Sequence, residues 1–210
     1  MSLHTAVVHV VDDDPSFLTA VSRLLRASGF TVRTFDSAAD LLSHLVADTA
    51  GCVIADLHMP GVGGLELQEA LVNAAHPIPV IFVTGAGDVP STVRAMRRGA
   101  EDFLSKRAPK NELLDAVKRA IARDARQRAQ RDRLRELRAP FAALTPRDRE
   151  VLTRVLRDRL NKQIASDLGI DERSVKRHRT NIMTKLRIES VVELTHLVYA
   201  AGLHDAAELR

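Results

Sequence analysis

The chain has 210 residues, 45% of them hydrophobic but only 3% aromatic, with no Trp and a single Cys, so its core is aliphatic and contains no intrachain disulfide. The net charge of +4 is unevenly split: residues 1–121 hold 11 Lys and Arg against 14 Asp and Glu, a charge of −3, while residues 122–210 hold 20 against 13, a charge of +7. No stretch approaches the ~18 apolar residues of a membrane span, and Met1 to Val11 lacks the basic flank and long apolar run of a signal peptide, so a soluble, cytoplasmic protein of two domains is expected, the basic one a candidate for nucleic acid.

In chain order, Val7-Val8-His9-Val10-Val11 reads as a buried strand and ends in Asp12-Asp13-Asp14. Pro15 suits the first turn of a helix over about 15–28, which Gly29 stops. A strand over 31–35 follows, and Ser37 caps a helix to about residue 47. The apolar run from Cys52 to Ala55 is a strand that ends in another carboxylate, Asp56, and Leu57-His58-Met59-Pro60-Gly61 then forces a turn. A helix over 64–74, a strand over 79–84 ending at Thr84-Gly85, a helix over 90–98, a strand over 102–105 running into Lys106, and a helix from about residue 110 complete the first half. Five strands alternating with five helices predict an α/β fold with a doubly wound, five-stranded parallel sheet.

In a parallel sheet the carboxyl ends of the strands share one edge, so Asp12, Asp13, Asp56, Thr84 and Lys106 converge there. Taken singly, each has an ordinary explanation: a loop-capping aspartate, a turn threonine, a surface lysine. Four matched strand ends make all of these together improbable. Clustered carboxylates repel unless a cation joins them, and a few carboxylates with water suit Mg²⁺. Asp56 is then poised as a nucleophile toward phosphorus, with Lys106 and Thr84 to neutralise and hydrogen-bond phosphoryl oxygens. Gly61-Val62-Gly63-Gly64 and Gly85-Ala86-Gly87 look like phosphate loops, but no Gly-x-x-x-x-Gly-Lys-Ser/Thr exists and the first strand–helix turn is acidic, so they read as turn glycines.

Asp12-Asp13 after a strand, Asp56 in Asp-Leu-His-Met-Pro-Gly, Thr84-Gly85, and Lys106 with Phe103 three positions earlier resemble the receiver domain of two-component response regulators over residues 1–121. The resemblance implies a flavodoxin-like fold in which Asp56 accepts a phosphoryl group from a histidine kinase. It also implies that Asp12, Asp13, Asp56 and the backbone carbonyl of His58 hold Mg²⁺, and that Thr84 and Phe103 form a switch pair. One position departs from the pattern: Arg107 follows Lys106 where the family usually has a proline, often with a cis bond. A cis bond without proline costs ~3 kcal/mol, so a trans bond and an altered loop are expected.

Leu113, Leu114, Val117, Ala120 and Ile121 lie on one helical face and close the first domain. Residues 122–140 read as a helical linker, polar almost throughout, continuing to about residue 138 as a solvated or dimer-contacting helix; contact of its basic surface with DNA is the alternative. In the second domain, residues 141–210, Thr145-Pro146-Arg147-Asp148 is a helix start. Asn161 is placed to cap a short helix over 162–168, Gly169 gives a tight turn, and Asp171 caps a helix over about 172–186. A last helix follows Ser190. A short helix, a glycine turn and a basic helix predict a helix-turn-helix. On the third helix Val175, Ile182 and Leu186 mark the buried side, and Arg173, Lys176, Arg177 and Thr180 share another from which cationic side chains reach base edges and phosphates. A solvated basic face is the plain alternative. His178 has no second ligand nearby and reads as locally bonded.

The runs from Leu144 to Leu152, Asn161 to Ala165 and Ser174 to Arg179 resemble the LuxR-type DNA-binding domain. Together the halves are similar to a response regulator of the NarL/FixJ type, and Gly87-Asp88-Val89 with His178-Arg179 lean to the FixJ side. This implies a transcription factor, not an enzyme beyond self-phosphotransfer and autodephosphorylation at Asp56. It further implies double-stranded DNA contacted through Lys162, Arg173, Ser174, Lys176, Arg177, Arg179 and Thr180, and a homodimer on phosphorylation, with the last helix and a receiver face as interfaces. Arg157-Asp158-Arg159 stands where a small residue and glycine are usual, so the end of the domain's first helix is expected to differ. Rival readings are a regulator whose receiver works by contact without phosphorylation, and a magnesium-dependent phosphatase, which needs a second catalytic acid and a substrate cap that the sequence does not display.

Overall fold

The computed structural model describes residues 6–46, 49–73, 77–85 and 89–203. Gly87 and Asp88 of the Gly-Asp-Val run, Ala86, and the expected helix ends at Ala47 and Ala74 lie outside the described residues. The chain divides into two compact units, Met1–Arg128 and Ala129–Arg210.

In the first unit, strands β1 (Val7–Val11), β2 (Thr31–Phe35), β3 (Gly51–Asp56), β4 (Val80–Thr84) and β5 (Asp102–Ser105) form one parallel sheet in the order β2-β1-β3-β4-β5. They alternate with helices α1 (Pro15–Ala27), α2 (Ala38–His44), α3 (Gly64–Val72), α4 (Val89–Arg97) and α5 (Lys110–Arg138). β3 and β4 are buried along their whole length, as continuous apolar runs in the middle of a parallel sheet must be, whereas the edge strands β2 and β5 are partly open. Side chains alternate between two cores. Val53, Ala55 and Phe82 pack with Leu41, Leu67 and Ala95 of α2, α3 and α4. Ile54, Ile81 and Val83 pack with Val21 and Leu25 of α1 and Leu113 and Val117 of α5.

This register brings the carboxyl ends together. Val11 pairs with Ala55, Asp56 with Val83, and Thr84 with Ser105. Local chemistry then sorts the first acidic run: Asp14 caps α1 by accepting the Ser16 N–H at 2.8 Å, with Pro15 in the first turn. α3 starts hard against the site because Gly64 has no side chain. A Cβ there would collide with the carbonyl oxygen of Asp56 and the ring of Phe82.

α5 is one helix of 29 residues. Asp124, which the sequence places among solvated linker residues, is 3% exposed, and its carboxylate accepts the N–H of Gly51 at 2.9 Å where β3 begins. The contacts of the first unit therefore extend along the helix to Arg128, whose guanidinium is 3.9 Å from the same carboxylate.

The second unit begins its core with Phe141 in a 3-10 turn (Ala139–Ala143) and continues with α6 (Pro146–Val155), α7 (Asn161–Leu168), α8 (Glu172–Leu186) and α9 (Val191–Ala200). Val151, Leu152, Ile164, Val175, Ile182, Leu186, Leu194 and Val198 close the core. Thr145 caps α6 reciprocally with Asp148, and Asp171 and Ser190 cap α8 and α9. Asn161 does not cap α7: Leu160 is the extended residue before the helix, its N–H bonded to Gln163 at 3.0 Å, and Asn161 is the first helical residue. Gly169 supplies the left-handed turn between α7 and α8 at φ 62°. Where the sequence lacks the usual glycine after α6, Asp158 itself takes a left-handed conformation at φ 54°.

Replacing Asp124 by Ala leaves a buried N–H at Gly51 without its acceptor, a loss of ~1–3 kcal/mol. Faster hydrogen exchange of the β1 and β3 amides and a lower urea midpoint of the first unit are expected; unchanged exchange would remove Asp124 from this role.

Candidate functional site

At the carboxyl edge of the sheet Lys106 bridges two carboxylates. Its ammonium lies 2.9 Å from Asp12 Oδ1, 2.7 Å from Asp12 Oδ2 and 3.0 Å from Asp56 Oδ2. Asp12 is fully buried and Asp56 nearly so, while Asp13 is exposed. Asp12 Oδ1 also accepts the Asp14 N–H at 2.9 Å, and Asp56 Oδ1 takes a long bond, 3.4 Å, from the His58 N–H. Thr84 is buried at the end of β4, and its carbonyl accepts the Lys106 N–H at 2.8 Å, which fixes the start of the loop. Ser105 fixes the rest, its Oγ accepting from Arg107 N–H at 3.2 Å and its carbonyl from Ala108 N–H at 2.9 Å. The Lys106–Arg107 bond is trans, as expected, and the loop carries the ammonium to both carboxylates. Phe103 is half-buried, its ring centroid 6.1 Å from that of Phe82.

The charges at this edge are unbalanced. Burial pushes the Asp12 carboxyl above its ordinary value, and the bonds from Lys106 and Asp14 offset this only in part. Burial would lower the Lys106 ammonium, but its bonds to Asp12 and Asp56 win and raise it. Carboxylate oxygens of Asp12, Asp13 and Asp56 lie within 4.8 Å of one another. Asp12 Oδ2 is buried without a hydrogen bond of good geometry, although the ammonium is close. Three carboxylates against one ammonium, with a buried oxygen still open, fit a hard divalent cation such as Mg²⁺.

The second unit presents a basic helix face. Arg173, Lys176, Arg177 and Thr180 are exposed on α8, and Lys162 is exposed on α7. Ser174 and Arg179 are partly occupied elsewhere. Ser174 Oγ donates to the capping Asp171 at 2.8 Å, and Arg179 donates to Asn161 Oδ1 of α7 at 3.2 Å, joining the two helices. Sequence reasoning treated Asp148 as a helix-start residue only. Its buried carboxylate also accepts His178 Nδ1 at 2.8 Å and Lys185 Nζ at 2.7 Å, so α6 grips α8 at two points one face apart from the exposed cations. His178 is thus locally bonded, as expected. The spacing from Thr145 to Asp148 could signal a cap, but nothing in a linear reading brings Lys185 back to it.

Residues 8–118 match the response regulator receiver domain, and residues 142–198 match the LuxR family of bacterial regulatory proteins. The chain belongs to the response regulators that carry a LuxR-type DNA-binding domain. It is 39% identical over 197 residues to the response regulator protein TodT of Pseudomonas putida, covering 94% of this chain and 87% of that one. It is 40% identical over 199 residues to the transcriptional regulatory protein FixJ of Azorhizobium caulinodans, covering 95% and 94%. Among solved structures, response regulator StyR shares 44% identity and a TM-score of 0.78 over 93% of this chain and 98% of that one, and full-length FixJ from B. japonicum shares 34% and 0.57 over 95% and 98%. These relatives place the chain among transcription regulators of the NarL/FixJ type. No helix among the described residues is long and apolar enough to cross a membrane.

Burial would raise the Asp148 carboxyl, but hydrogen bonds from Lys185, His178 and Thr145 outweigh it and hold the group far below the carboxylate range. Its folded value is therefore below its unfolded value of ~3.9, so its contribution is complete above that value and is lost as pH falls from there toward the folded value. Asp148→Asn should cost about 2 kcal/mol at pH 7. The gap between wild type and variant should begin to narrow as pH falls below about 4 and keep narrowing as it approaches the folded value, read by hydrogen exchange or thermal unfolding of the second unit; a constant gap would exclude the ionic origin.

Proposed function

We propose that Asp56 accepts a phosphoryl group from a histidine kinase and that this event controls dimerisation and sequence-specific DNA binding. The observation that carries the reading is the single ammonium of Lys106 held between Asp12 and Asp56 at the strand ends. A carboxylate oxygen of Asp56 attacks phosphorus, the P–N bond of the phosphohistidine breaks, and its electron pair leaves on the imidazole, which takes a proton from solvent. The product is a mixed anhydride at Asp56. Lys106 is close enough to Asp56 to move its hydrogen bond onto a phosphoryl oxygen, and the hydroxyl of Thr84 donates to another. Asp12, Asp13, Asp56 and the backbone carbonyl of His58 would hold Mg²⁺, which when bound supplies positive charge against the phosphoryl oxygens.

The signal leaves through Thr84 and Phe103. As the hydroxyl turns to the phosphoryl group, the Phe103 ring turns further inward and the surface of α4 and β5 repacks. On α4, Val89, Val93 and Met96 are exposed at helical spacing, an apolar stripe suited to a second copy of this chain. Pairing there, or through α9, brings two DNA-binding units to adjacent half-sites of double-stranded DNA and gains avidity. Arg173, Lys176, Arg177 and Thr180 face the major groove, while Lys162, Ser174 and Arg179 contact the backbone or hold the helix in register. A cytoplasmic location follows from a kinase donor and a DNA target.

With Mg²⁺ and acetyl phosphate, Asp56 alone should be labelled, and Asp56→Asn should abolish the label because an amide is a poor nucleophile; a labelled variant would remove Asp56 from this role. Asp13→Ala should weaken Mg²⁺ binding, read by titration. Sedimentation with and without the phosphodonor should show a monomer becoming a dimer, and equal states in both would leave the receiver as a contact module.

Affinity for DNA should fall steeply with salt. Lys176→Ala and Arg177→Ala should relax sequence preference, each by ~1–3 kcal/mol where the contact is a base edge, while Lys162→Ala should weaken all sequences alike. Footprints on the DNA upstream of the protein's own coding region would decide, and a preference intact in both α8 variants would move recognition elsewhere.

A further inference from the structure

We propose that Phe17 is a positioning residue for phosphoryl transfer: its ring face holds the Lys106 ammonium at the place where it reaches both Asp12 and Asp56. The inference rests on the reading of Asp56 as phosphoacceptor. Lys106 Nζ lies 4.7 Å from the centroid of the Phe17 ring, over its face, while bonding to the two carboxylates. An ammonium over an aromatic face is attracted by the ring quadrupole, and more strongly where water is excluded. The Lys106 side chain is 19% exposed and the Phe17 ring is partly buried, so the contact is partly screened from water.

Lysine needs this help here. Its four-carbon stem is flexible and its charge is a compact point that many geometries satisfy. No proline follows it directly, and the backbone of the loop from Ser105 to Ala108 is held by the Lys106 N–H on the Thr84 carbonyl and by two bonds to Ser105, none of which fixes the lysine side chain. Phe17, by contrast, stands on a fixed base. It occupies the first turn of α1, which Asp14 caps and Pro15 pre-forms, and it packs against the core beneath the α1 and α5 face. One segment, Asp12 to Phe17, therefore supplies a carboxylate that Lys106 binds, the cap that starts the helix, and the ring that faces the ammonium. When phosphate joins Asp56, Lys106 must shift toward a phosphoryl oxygen without leaving the site. A non-directional contact with a ring face permits that shift, whereas a third fixed hydrogen bond would oppose it.

An ordinary core role for Phe17 gives different results. The test is the initial rate of Asp56 labelling by acetyl phosphate with saturating Mg²⁺ in the full-length chain, which needs no kinase contact. Phe17→Leu keeps the bulk but loses the ring, and should label about three- to tenfold more slowly. Phe17→Tyr keeps the ring face and should restore the rate. Trifluorophenylalanine incorporated at position 17 keeps the shape but removes most of the quadrupole, and should behave like Leu; this variant decides the matter if Phe17→Leu folds poorly. In a Lys106→Ala background, Phe17→Leu should cause no further slowing. Equal slowing with and without Lys106, or a trifluorinated protein as fast as wild type, would overturn the proposal and leave Phe17 a packing residue. Absence of label on the wild type would instead remove the phosphoacceptor reading itself, and the proposal with it.

Discussion

The first unit depends on a charge problem that it leaves partly unsolved. Asp12 and Asp56 are buried beside each other at the strand ends and share one ammonium. Two like charges 4 Å apart at an effective dielectric of 20 repel by about 4 kcal/mol, and Asp13 adds a third carboxylate to the cluster. Lys106 offsets a part of this, and the Asp12 carboxyl stays above its ordinary value chiefly because it is buried, with the charge of Asp56 adding to the rise. A fold selected for stability alone would place apolar residues here. The surrounding structure instead keeps the acids together: the parallel register aligns the strand ends, Gly64 lets α3 start against Asp56, and Thr84 fixes the loop that delivers Lys106. Such a cluster is stabilised by added positive charge, and its arrangement suits the divalent cation and the phosphoryl group proposed for it.

The second unit contains the opposite solution to the same problem. Asp148 is as deeply buried as Asp12, yet it accepts bonds from Lys185, His178 and the Thr145 N–H, and its carboxyl is held low. A satisfied buried carboxylate rigidifies what it touches. Here it ties the start of α6 to two turns of α8, so the exposed cations of α8 project from a fixed helix. Preorganised side chains lose less entropy on docking, which suits the base-edge reading proposed for this helix. The less fully satisfied aspartate belongs to the unit proposed to change state, the fully satisfied one to the unit proposed to present a fixed helix to DNA.

Most of the fold was legible because its signals are local. Apolar runs closed by a polar group give β1, β3 and β4; Pro15, Ser37, Thr145, Gly169 and Asp171 punctuate the helices where the structure places them. The strand-end residues Asp12, Asp56, Thr84 and Lys106 were legible as a set because parallel topology itself brings them together. What escaped a linear reading was decided by tertiary partners. Asp124 looks like one more charge in a polar helix until Gly51 of β3 is placed beside it. Asn161 looks like a cap, but an extended Leu160 and the Gln163 side chain start α7 one residue earlier. Asp12, Asp13 and Asp14 are the same residue type in a row, and only the path of the chain makes one buried, one exposed and one a cap.

The departure at Arg107 shows how such tertiary support works. A proline after Lys106 would narrow the backbone locally, within the sequence. Without it, Lys106 still arrives between the carboxylates, because Thr84 and Ser105 anchor the loop on the sheet and the ring of Phe17 faces the ammonium from α1. A constraint written in one residue has been replaced by several weaker ones spread across β4, β5 and α1. Distributed constraints of this kind allow more movement than a rigid ring, since no single contact fixes the lysine completely. In the proposed transfer Lys106 exchanges a carboxylate for a phosphoryl oxygen, and that freedom is compatible with it as long as the ammonium stays within reach. The loop chemistry therefore bears on the rate of the proposed transfer and leaves the parallel sheet that assembles the site intact.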